Sequence, residues 1–68
     1  GPERAGMYLS VPKTFRDRVR DFAYQHGYDI RAVLISGVLE QIEKGKPIAP
    51  VGIEERMAAI GGQSEAAA

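Results

Sequence analysis

The chain has no cysteine and only one histidine, His26. Without thiols it has no disulfide and no thiolate metal site. A single imidazole does not make a ligand set, so neither a metal nor a cofactor is expected. No apolar run approaches the ~20 residues that cross a bilayer, and no signal peptide is visible. The missing cysteine fits a reducing cytoplasm, which is the expected compartment, and no membrane partner is expected. Catalytic equipment is missing too. There is no nucleophile–base pair, no carboxylate pair in an obvious cleft and no glycine-rich phosphate loop, so an enzyme is not expected. The Gly61-Gly62 pair has no strand before it and no helix of substance after it.

Strand-forming sequence is scarce as well. In "GMYLSVP", residues 6–12, polarity alternates so that Met7, Leu9 and Val11 share one face while Gly6, Tyr8 and Ser10 share the other. No second run of this kind occurs, so a strand at 6–11 has no partner within its own chain. The 68 residues make one domain at most. A core that small supplies no more than ~3–5 kcal/mol and needs a staple. With disulfides and metals excluded, self-association is the staple that remains.

Helical spacing dominates the rest. Pro12 ends the alternating run and suits a first helical turn. Over 13–26, Phe15, Val19, Phe22 and Ala23 recur at helical intervals and form one apolar stripe. Gly27 stands where a left-handed residue closes a helix. Asp29 is placed to cap a second helix over 30–44, whose stripe is Ile30, Val33, Leu34, Val38 and Ile42. Gly37 in mid-helix points to the close approach of another helix, and Gly45 ends the segment. "KPIAPVG" reads as a linker, and 53–60 as a short helix with Ile53, Met57 and Ile60 on one side. "GGQSEAAA" reads as a loose end. The leading Gly-Pro reads as the remnant of a cleaved purification tag, and residues 1–5 as a flexible leader. The expected organisation is therefore that leader, a domain over 6–45, and a linker and tail over 46–68.

Net charge is zero, but it is unevenly placed. Residues 4–31 carry six cations against Asp17, Asp21 and Asp29, while residues 32–68 carry three cations against five glutamates. A basic front half hints at a side that faces a polyanion. Arg16 and Arg20 are one turn apart with Lys13 near the same side, where they could contact flanking phosphates; the alternative is a solvated face balanced by Asp17 and Asp21, the preferred reading for Arg18 and Arg20. Tyr24 and Tyr28, which flank His26, are assigned no chemistry.

The run "YLSVP", then Phe15, Val19 and Ala23, then "HGYD", then Ile30, Leu34 and Val38 resembles the ribbon-helix-helix family, the Arc/MetJ-type repressors. The resemblance covers residues 5–44. It implies a mostly α fold with one short N-terminal strand, forming an intertwined homodimer with a two-stranded antiparallel intersubunit ribbon. It implies a core of Met7, Leu9, Val11, Phe15, Val19, Phe22, Ile30, Leu34, Val38 and Ile42. It also implies sequence-specific binding of double-stranded DNA, the ribbon entering the major groove with Arg4, Gly6, Tyr8 and Ser10 towards the bases. Phosphates would meet Lys13, Arg16 and the start of the second helix at Ile30 and Arg31. A repressor, an antitoxin autoregulator and a plasmid partition or transfer factor all fit that reading. This sequence departs from the family by lacking basic or amide side chains at the ribbon centre and by placing Asp29 at the cap. The alternative is a dimerisation and protein-interaction module, with Ile53, Met57 and Ile60 anchoring a partner of the tail.

Overall fold

A computed structural model describes residues 2–46 and 51–63. The expected linker and loose end lie partly outside these residues. Three helices form: α1 over Lys13–Gln25, α2 over Ile30–Lys44 and α3 over Ile53–Gly61. α1 packs against both of the others.

The ribbon-helix-helix expectation is corrected here. Among the described residues there is no strand and no sheet. Residues 6–11, expected as half of an intersubunit ribbon, carry no regular structure. The reason is pairing. A strand is stabilised by the hydrogen bonds and side chains of a neighbour, and this chain offers no second run to supply them. Met7 is accordingly 97% exposed and Leu9 64%. Pro12, with φ −57° and ψ 141°, leads the extended segment directly into α1.

The reversal between α1 and α2 is built from backbone bonds. The Tyr28 amide donates to the Ala23 carbonyl at 2.8 Å, and the Gly27 amide to the Tyr24 carbonyl at 3.1 Å. Together these bonds close a helix by the Schellman pattern, which needs a left-handed residue between them. Gly27 supplies it at φ +78°. Asp29 then opens α2, its carboxylate accepting from the Ala32 amide at 2.8 Å. Gly45, also left-handed at φ +71°, terminates it.

What these helices enclose is small. Ala23, 1% exposed, is the one buried hydrophobic residue among those described. Phe15, Val19, Ile30 and Val33 are half-buried, as is Val11. Phe22, Leu34, Ile35, Val38, Leu39 and Ile42 remain exposed, Ile42 at 71%. The exposed residues of α2 form two adjacent rows, Leu34–Val38–Ile42 and Ile35–Leu39, so one side of the helix is a continuous apolar face. Gly37 does not receive a neighbouring helix, since no atom lies within 4 Å of where its Cβ would be. Within the single chain that glycine is a position left open.

Candidate functional site

The basic residues of α1 meet around one carboxylate. Asp17 receives Arg16 NH2 at 3.1 Å and Nε at 3.3 Å, Arg20 NH2 at 3.2 Å and Lys13 Nζ at 3.4 Å. Helical geometry brings Lys13 and Arg20 to Asp17, because residues four before and three after a position share its face; Arg16 is its immediate neighbour in the chain. The Arg16 hydrogen bond, followed by the charge and hydrogen bond of Lys13, holds the Asp17 carboxyl below the ordinary carboxylate range, and its partial desolvation opposes them. Three cations on one carboxylate leave a local positive excess, which Asp21, one turn further on, offsets in part. Arg18 is directed elsewhere, with its guanidinium carbon 6.0 Å from the centroid of the Phe22 ring.

The same face continues to the start of α2. Arg20 and Arg31 line one open cleft together with Tyr24, Tyr28, Asp29 and Ile30. Asp29 occupies the Ala32 amide. The amides of Ile30 and Arg31 belong to the same first turn, where the helix dipole favours anions. Of the phosphate-contacting residues named from the sequence, Ile30 and Arg31 therefore share this cleft, while Lys13 and Arg16 stand at the Asp17 cluster. Arg20, weighed from the sequence as a phosphate contact but read as the more solvated side chain, belongs to both. Its spacing of three from Asp17 was the available signal.

Arg4, Gly6, Tyr8 and Ser10 all lie in the exposed segment ahead of α1. They belong to no sheet, and no hydrogen-bond ladder holds their alternation.

Ile53, Met57 and Ile60, named from the sequence as anchors for a protein partner, line a cleft on their own chain with Phe15 and Arg56. Among the described residues no group of His, Cys, Asp and Glu could hold a metal ion. No helix among them is long and apolar enough to cross a membrane.

Comparison with family models, with curated proteins and with solved structures finds no match. The reading of this chain therefore rests on its own residues.

Proposed function

We propose that this chain is a self-associating DNA-binding protein that meets phosphates with the basic face of α1 and the start of α2. The observation that carries the reading is the convergence of Lys13, Arg16 and Arg20 on Asp17, with Arg20 also sharing a cleft with Arg31. An exposed cluster of this kind is worth little as a stability device, because surface ion pairs contribute ~0–1 kcal/mol. It suits a polyanion better, since each phosphate neutralised releases condensed counterions. Arg31 adds a full charge beside amides that already favour anions.

Self-association follows from the small core. Ordering each residue's backbone costs ~1–2 kcal/mol, and full burial of a Val, Leu or Ile side chain returns ~1.5–3 kcal/mol. With Ala23 the one buried hydrophobic residue among those described, most of that return is left unused. The apolar face of α2 is the surface that a second copy would cover.

The test is fluorescence anisotropy of duplex DNA at about 50 and 200 mM salt, a range over which phosphate-driven binding weakens steeply. The wild type is compared with the doubly substituted Arg16→Ala, Arg20→Ala chain. We expect affinity to fall with salt, and the double variant to bind more weakly with a shallower salt slope. Affinity indifferent to salt, or to the double substitution, rules out the basic face as the phosphate contact.

A further inference from the structure

The cleft shared by α1 and the start of α2 holds two aromatic side chains that phosphate contacts leave unused, Tyr24 and Tyr28. Tyr24 is 77% exposed and Tyr28 63%. Among the described residues neither packs against another ring, and the one ring pair is Phe22–His26, with centroids 4.5 Å apart. A single exposed tyrosine needs no explanation. These two share a cleft of about 390 Å³ with two arginines, within the ~300–1,000 Å³ of clefts that take small ligands.

The backbone fixes where these groups stand. Arg20 and Tyr24 lie four apart on α1 and share its face. Tyr28 sits in the reversal itself, tied by its amide to the Ala23 carbonyl. Arg31 stands in the first turn of α2 and makes no ion pair among the described residues. Arg20 meets Asp17 through one terminal nitrogen, and a guanidinium has five N–H donors, so that pair does not exhaust it. Asp29 is the one carboxylate of the cleft, with one oxygen committed to the Ala32 amide. Two arginines against one carboxylate leave a single positive charge beside two rings. One nucleotide of a DNA strand is the complement, with one negative phosphodiester and one neutral aromatic base.

We propose that this cleft takes an unpaired nucleotide of single-stranded DNA, its base against the Tyr24 and Tyr28 rings and its phosphate held by Arg20 and Arg31. In a duplex each base face is covered by its neighbours, so the rings have a face to stack on only where the strand is unpaired. Positive charge interleaved with aromatic side chains holds single strands in this way, because every base has a π-face. The inference rests on the phosphate contacts proposed above and names the form of DNA that they serve best.

The experiment titrates a labelled single-stranded oligonucleotide of mixed sequence, and its duplex, by fluorescence anisotropy at the two salt concentrations used above. The full chain carries Tyr24→Leu with Tyr28→Leu, which removes both rings, or Tyr24→Phe with Tyr28→Phe, which keeps them. Tyr24→Leu alone keeps the test open if circular dichroism shows the double leucine chain unfolded. Wild type should bind the single strand more tightly than the duplex. Losing the rings should weaken the single strand at least about fivefold and leave the duplex unchanged, while the phenylalanine chain binds like wild type. Duplex bound more tightly than single strand, a single strand that ignores the rings, a loss shared equally by the duplex, or a phenylalanine chain as weak as the leucine chain each overturns the stacking cleft. Duplex binding that still falls with salt then leaves the phosphate contacts standing. Binding of neither form, or binding indifferent to salt, overturns the phosphate contacts and the cleft with them.

Discussion

The Tyr28 amide reaches back to the Ala23 carbonyl at 2.8 Å, and the residue at the bend between them, Gly27, has φ +78°. That bond joins the one buried hydrophobic residue described to the entrance of α2, so the reversal and the core are a single unit. A β-branched residue at 27 would be forced into the left-handed region at a cost of roughly 1–2 kcal/mol. We expect Gly27→Val to lower the thermal midpoint by several degrees. An unshifted melt would show that the reversal does not need this conformation.

Asp29 acts on two properties in opposite directions. Its carboxylate caps α2 through Ala32, and removing such a cap costs about 1 kcal/mol. The same charge repels a phosphate approaching the first turn. Asp29→Ser keeps a capping oxygen and removes the charge. Thermal unfolding should show little change while DNA affinity in an anisotropy titration rises. Asp29→Ala should lose stability by comparison.

Asp17 offers the matching test on α1. Asp17→Asn removes the carboxylate that Lys13, Arg16 and Arg20 share, so DNA should bind more tightly and with a steeper salt dependence. The pH dependence follows from the lowered pKa. A depressed carboxyl stabilises the fold above its unfolded pKa, and that contribution is lost as pH falls through its lower folded value. Acid unfolding should therefore show, as pH falls through that value, a loss of stability that the Asn variant lacks.

Val38 lies on the open face of α2 and is 54% exposed in the single chain. Val38→Glu costs such a chain little, because nothing covers the site. In an assembly seated on that face it would bury an unpaired charge. Helicity should persist by circular dichroism while sedimentation shows the mass of one chain. A variant that still dimerises would place the interface elsewhere.

Gly37 has open space where a side chain would go. Replacing it by alanine in mid-helix should stabilise α2 by about 1 kcal/mol, read as a higher thermal midpoint. A lower midpoint would mean that a neighbour does approach there.

Much of the local architecture could be read directly from residue order. Pro12 ahead of α1, the glycine at 27, Asp29 at the α2 cap and Gly45 at its end act within a few positions of themselves. Their effects need no distant partner. The strand at 6–11 failed for the opposite reason. Alternation in "MYLSV" states a preference for an extended, half-buried ribbon, but a ribbon exists only beside another strand. The candidate site divides in the same way. Lys13 and Arg20 sit four and three positions from Asp17, so those pairs were legible. The meeting of Arg20 with Arg31 depends on how α2 folds back across α1, which no local spacing encodes.

Residue order alone therefore determined where helices begin and end, and which sides of them are apolar or basic, because capping, backbone dihedrals and helical periodicity are short-range. The tertiary structure alone decided that residues 6–11 stay unpaired and that Gly61 presses on the Thr14–Phe15 backbone. It also decided that Ile60 borders the junction of α1 and α2. Each of these depends on which segments distant in sequence meet in space.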